Sequence, residues 1–153
     1  MKMALFSLLL LTGFACSNRD VVSTGNNEIW LDDQSYLLNN EVQLSAYIAA
    51  MLDKPEIVLD HAGTETVADE EGRTYQAVVG TFMENSKLQS VIIPIDHKDQ
   101  GRWTGECAMF CDCAGDCTSC VIRVIEKCRE LSGVCTSGNG GVSIGVVVKD
   151  GKP

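Results

Sequence analysis

Cys117-Thr118-Ser119-Cys120-Val121-Ile122-Arg123-Val124-Ile125-Glu126-Lys127-Cys128-Arg129-Glu130-Leu131-Ser132-Gly133 is the stretch on which the fold class turns. Thr118 or Ser119 is a suitable N-cap, since a short hydroxyl side chain can accept from the first free backbone N–H groups of a helix. Val121, Val124, Ile125, Cys128 and Leu131 then recur at three- and four-residue intervals, the spacing of one helical face. Ser132-Gly133 supplies a stop, because glycine tolerates the left-handed conformation that closes many helices. The spacing therefore predicts a helix over 118–131, with Cys128 on its buried face, positioned to staple the helix to the loop before it.

A second helix is predicted near 41–53. Asn40 and Gln43 have the spacing of a capping box, Leu44, Tyr47, Ile48, Met51 and Leu52 follow at helical intervals, and Pro55 closes the segment. Before it, Ile29-Trp30-Leu31 and Tyr36-Leu37-Leu38 are apolar clusters split by Asp32-Asp33. The middle of the chain reads as strands: Glu56–Asp60, then Thr64–Ala68 and Arg73–Met83 flanking the turn-forming Asp69-Glu70-Glu71-Gly72, then Leu88–Asp96. Pro94 has no N–H to give a neighbouring strand, which predicts an edge position or a bulge for that segment. Arg102–Phe110 and Val142–Lys149 read as two further strands, the last entered through Ser137-Gly138-Asn139-Gly140-Gly141. Helices and mostly antiparallel strands mixed without βαβ regularity predict an α+β fold: a small sheet, two helices and a cysteine-rich C-terminal segment.

Seven of the eight cysteines, Cys107, Cys111, Cys113, Cys117, Cys120, Cys128 and Cys135, lie between 107 and 135, and three chemistries compete for them. Disulfides lead, because exported cysteine-dense segments meet an oxidising compartment. Cys111 and Cys113 are too close in sequence to bridge each other well and should take different partners. Metal binding is the alternative: Cys-x-Cys and Cys-x-x-Cys in one loop could converge on a soft ion such as Zn²⁺ or Cu(I). Against it, the chain has only one Cys-x-x-Cys, where zinc knuckles use two. Redox chemistry is third. Cys117-Thr118-Ser119-Cys120 at a predicted helix N-terminus resembles a thioredoxin-type motif, but no βαβ frame surrounds it.

The eighth cysteine ends a leader. Met1-Lys2-Met3 precedes the apolar run Ala4–Ala15, which has the shape of a secretory signal and is shorter than the roughly 20 residues of a spanning helix. No later segment has an apolar run of that length, which argues against a polytopic helical membrane protein. Leu11-Thr12-Gly13-Phe14-Ala15-Cys16 resembles the lipobox of bacterial lipoproteins, with Gly13 where an aliphatic residue is usual. The resemblance covers the leader alone and implies cleavage before Cys16, lipidation of Cys16 and, with Ser17 next to the anchor, an outer-membrane destination in the cell envelope. Cleavage without lipidation is the plainer alternative, since Gly13 and Ala15 also suit the general signal peptidase.

On this reading residues 1–15 are a signal peptide, 16–27 a lipid-anchored polar tether, and 28–153 a single α+β domain containing the cysteine-rich segment 107–135. Loss of the leader leaves 138 of 153 residues, enough for one domain with its own core, and takes the formal charge from −9 to −10 as Lys2 departs. So acidic a chain repels nucleic acid, which is excluded as a partner, and the membrane is reached through lipid. Lipidation of Cys16 also leaves an odd number of clustered cysteines, so at least one has no partner within the cluster.

Other constellations are weak. Asp60-His61 and Asp96-His97 contain both histidines and could assemble a metal site, but read more simply as exposed turns. Asp69-Glu70-Glu71 lacks a calcium-loop pattern, and the glycine-rich 138–141 stretch lacks the lysine of a phosphate loop. Asp116-Cys117 before a helix with a late strand at 142–146 faintly resembles papain-like cell-wall peptidases. No histidine follows Cys117 to serve as base, and a thiol without one is not a hydrolase. The expected role is therefore non-catalytic, structural or binding, with no cofactor. No motif in the chain names a protein partner or a ligand.

Overall fold

Four of the five residues in Val121–Ile125 are β-branched, and such side chains lose rotamer freedom in a helix while packing well on a pleated strand. In the computed structural model, which describes residues 27–98 and 102–149, that preference prevails. The elements run β1 (Glu28–Leu31), β2 (Gln34–Leu37), α1 (Glu41–Met51), β3 (Val58–Ala68), β4 (Thr74–Glu84), β5 (Lys87–Lys98), β6 (Arg102–Gly105), β7 (Ala108–Cys113), β8 (Ser119–Glu126), β9 (Glu130–Ser137) and β10 (Val142–Val147).

The fold is mostly β rather than α+β with two helices, and the predicted helix over 118–131 is the β8–β9 hairpin. Val121 faces Val134 and Val124 faces Leu131 across it, and Cys120 lies opposite Cys135. Along β8 the side chains alternate between buried and exposed, from Cys120 and Val121 to Arg123 and Val124. The helical spacing was misleading because positions 121, 124, 125, 128 and 131 include residues on both faces of the hairpin as well as in its turn. Cys128 sits in that turn with φ 61°, so its staple holds a hairpin tip and not a helix.

The predicted first helix is present as α1. Asn40 Oδ1 accepts from the Gln43 N–H at 3.1 Å, while Gln43 Oε1 accepts from the Leu37 N–H at 2.7 Å. The capping box is thus half made, with its second arm reaching back to β2. The two strands expected over 56–60 and 64–68 merge into β3, bulged between Leu59 and His61 and paired antiparallel with β4. The strand expected over 102–110 divides into β6 and β7.

All ten strands join one hydrogen-bonded sheet through β5, which pairs β4 on one side and β7 then β6 on the other, and meets β8 at Leu88. Pro94 therefore lies in the most connected strand, paired with Ala77 of β4, and not at an edge. Its other side faces an irregularity. Ile92 pairs with Met109 and Ile95 with Gly105, so Ile93 and Pro94 oppose three residues, Glu106 to Ala108. This bulge needs one donor fewer from β5 at the position where proline has none.

Alternation along the central strands separates two cores. Val78, Phe82, Val91, Ile93 and Ala108 pack beneath α1 with Leu44, Tyr47, Ile48 and Met51. Close approach of the helix is possible at Gly80, where a Cβ would lie 2.7 Å from Ile48 Cδ1. The opposite face carries Ile92, Cys107, Met109 and Cys111, and the β8–β9 hairpin covers it. The domain is a sheet with a helix on one side and a cystine-stapled hairpin on the other. Among the described residues, no helix is long and apolar enough to cross a membrane.

Candidate functional site

The pleat of β7 decides the layout of the cluster. Residues two apart on a strand share a face, so Cys111 and Cys113 both belong to the hairpin side. Cys111 is bridged to Cys120 of β8, with Cα atoms 6.3 Å apart. Cys107, in the bulge before β7, is bridged to Cys128 in the hairpin turn at 5.8 Å, and Cys117 in the β7–β8 loop to Cys135 of β9, also at 5.8 Å. These separations are ordinary for cystines. The 107–128 bridge encloses 111–120, and 117–135 crosses both. The hairpin is therefore fastened once at its tip and twice near its open end, through Cys120 of β8 and Cys135 of β9.

Cys107, Cys111, Cys117 and Cys120 are buried. Ser90 of β5 lies under the Cys111–Cys120 bridge, its hydroxyl 3.3 Å from Cys111 Sγ and donating to Cys120 O at 3.2 Å. The loop carrying Cys117 is closed by a turn from Cys117 N–H to Ala114 O and is held by Thr118 N–H to Ser137 O and Ala114 N–H to Gly141 O. The 137–141 glycines serve this contact. A side chain on Gly138, whose φ is 96°, would run into Asp116 O, and one on Gly140 into Ala114 O and Cys117 N. The glycine-rich loop is the seat of a second loop.

Cys113 is the one unbridged cysteine among the described residues. It is half-buried and packs against the Cys111, Cys117 and Cys120 cluster, alongside Cys135. Its thiol donates to Leu88 O at 3.6 Å. Burial pushes this thiol above its ordinary pKa, opposed by the positive charge of Lys87 and assisted by the carboxylate of Asp112. Lys87 Nζ itself donates to the backbone oxygens of Cys113 and Gly115.

Of the three chemistries read from the spacing, the geometry has the disulfide arrangement. Cys117 and Cys120 do not bridge each other, and the helix N-terminus that would have activated Cys117 does not exist. A thiolate centre for Zn²⁺ or Cu(I) would need bridges to be opened first. Among the described residues, no three His, Cys, Asp or Glu side chains converge as a metal ion would require. The two histidines stay apart: His61 on β3 lies 3.2 Å from Glu41 Oε1, while His97 on β5 stacks edge-on against Trp103, with centroids 4.7 Å apart. Cys16, the segment expected as its leader and most of the expected tether lie outside the described residues.

Asp69, read as part of a turn, is within that turn a buried anchor. Burial alone would raise its carboxyl, but the Arg73 guanidinium and the backbone N–H groups of Arg73 and Glu71 outweigh it and hold the pKa below the ordinary value. The next residue ties the turn to the hairpin, Glu70 N–H donating to Val124 O at 3.1 Å.

A polar group beneath the α1 side escaped the sequence reading because its members are scattered over four segments. Lys54 Nζ donates to Glu84 at 2.9 and 3.0 Å and lies over the rings of Phe82 and Phe110. The Gln89 amide, oriented nitrogen-first, bridges Glu84 to Asp112. Burial pushes the Asp112 carboxyl up, with Lys54 opposing and Glu84 adding to the rise.

Compared with models of known protein families, with curated proteins and with solved structures, the chain matches none.

Proposed function

We propose that this chain is an exported cell-envelope protein, anchored to the outer membrane by lipid on Cys16, in which a disulfide-braced β domain has a non-catalytic structural or binding role. The observation that carries the reading is the pairing of six of the seven clustered cysteines into three bridges. Such bridges persist in oxidising compartments and are rare where glutathione and thioredoxin keep thiols reduced. The apolar leader ending in Ala15-Cys16 supplies the route, and the acidic charge argues for a partner other than nucleic acid. The reading needs no cofactor.

Intact mass of membrane-extracted protein tests both halves. An acylated N-terminal peptide beginning at Cys16 and alkylation at no more than one clustered cysteine before reduction are expected. A mature chain without acyl mass would remove the anchor, and alkylation at most of the seven positions would remove the bracing.

A further inference from the structure

We propose that Cys113 is the nucleophile of a disulfide exchange inside the cluster, converting the Cys117–Cys135 bridge into Cys113–Cys117 and moving the free thiol to Cys135. The proposal rests on the bridged arrangement and is independent of export or lipidation. Its starting point is a half-buried thiol packed against the buried cluster of Cys111, Cys117 and Cys120, which contains sulfurs of two bridges. On the hairpin, Cys120 and Cys135 are direct cross-strand partners, which sets those two bridges side by side.

Two features select the bridge that exchanges. Cys111 and Cys120 are both buried, with Ser90 against them, so a thiolate leaving from either would be stranded away from water. Cys135 is half-exposed on β9, which pairs only with β8, and its sulfur lies 3.2 Å from Ser137 O at the protein surface. A leaving thiolate is best accommodated there. The hydrogen bond from Cys117 N–H to Ala114 O bends the segment that joins Cys113 to its target into a turn.

The step is redox-neutral. Cys113 gives its proton to solvent, its sulfur electron pair forms the bond to Cys117 Sγ, the Cys117–Cys135 bond breaks, and Cys135 takes the electrons and then a proton. The two remaining bridges keep the hairpin tip and the start of β8 fastened throughout. Only the tie on β9 is released, so the device changes what β9 and the 137–141 loop can do without unfolding the domain. Burial disfavours the attacking thiolate, with Lys87 on β5 opposing that effect and Asp112 on β7 adding to it, so the exchange should speed up as pH rises.

The test uses the full, oxidised chain without reductant. Samples held in mildly alkaline buffer are alkylated with iodoacetamide at intervals, quenched with acid, digested unreduced and mapped by mass spectrometry. Label at Cys113 at the start, growing label at Cys135 and a new Cys113–Cys117 linked peptide are the expected results. Cys113→Ser keeps all three bridges and should lower Cys135 labelling at least about tenfold. Label confined to Cys113 at every time would overturn the proposal. So would equal Cys135 labelling in Cys113→Ser, or Cys113 already bonded to Cys16 or to a second copy.

Discussion

Replacing Cys107 and Cys128 together by alanine removes the bridge between the β8–β9 turn and the bulge that precedes β7. The bridged residues are 21 apart in sequence, and closing a loop of that length in the unfolded chain corresponds to about 3.3 kcal/mol. Losing the buried Cys107 sulfur adds about 1 kcal/mol of apolar burial. The 117–135 bridge crosses this loop and already restrains part of it, so the two contributions do not appear in full. A loss of about 2–4 kcal/mol is the expected range, a large share of the roughly 5–15 kcal/mol available to a domain. In urea this moves the unfolding midpoint down by about 1–2 M, and in a thermal scan it lowers Tm by about 10 °C. Equilibrium unfolding of both proteins without reductant, followed by circular dichroism, measures it. A midpoint shift below about 0.3 M with an unchanged slope would refute the claim that this bridge braces the hairpin tip.

Other predictions probe the charges and the loop seat. Because the Asp69 carboxyl is held below its unfolded-state pKa, the stability it contributes is present above the ordinary carboxylate range and is lost as pH falls through the folded value. Asp69→Asn should therefore be less stable than wild type at neutral pH and converge on it in acid, as read from urea midpoints across pH. Asp112 has the opposite sign. Its folded pKa is raised, so ionisation costs stability as pH climbs, and Asp112→Asn should match or exceed wild type at neutral pH while losing that advantage in acid. Gly138→Ala forces a side chain at φ 96° against Asp116 O and should cost about 1–3 kcal/mol, with faster proteolysis between 114 and 118 under native conditions.

Local features were legible where one segment decides its own structure. Asn40 caps α1, Leu44, Tyr47, Ile48 and Met51 form its buried face, and the turn residues at 69–72 sit between paired strands. The candidate site was legible as a set of residues but not as an arrangement. Seven cysteines in 107–135 pointed to disulfides, while their pairing depends on which strands face one another, which no spacing specifies. Ser90, Lys87 and Leu88 come to Cys111 and Cys113 only because β5 runs beside β7.

The sequence alone determined that the chain has an apolar run before Cys16, an acidic balance, one capped helix and a cysteine-dense segment. These properties follow from composition and short-range order. Tertiary structure decided whether 118–131 would be helix or hairpin. Its apolar residues satisfy a helical spacing, and its β-branched residues favour a strand, so local preferences conflict. Long-range geometry resolves the conflict: along a helix over 118–131 Val124 and Leu131 would lie roughly 10 Å apart at 1.5 Å per residue, whereas in the hairpin they are opposite each other. Only that arrangement lets Cys111, Cys117 and Cys107 reach Cys120, Cys135 and Cys128 together, leaving Cys113 unbridged beside them.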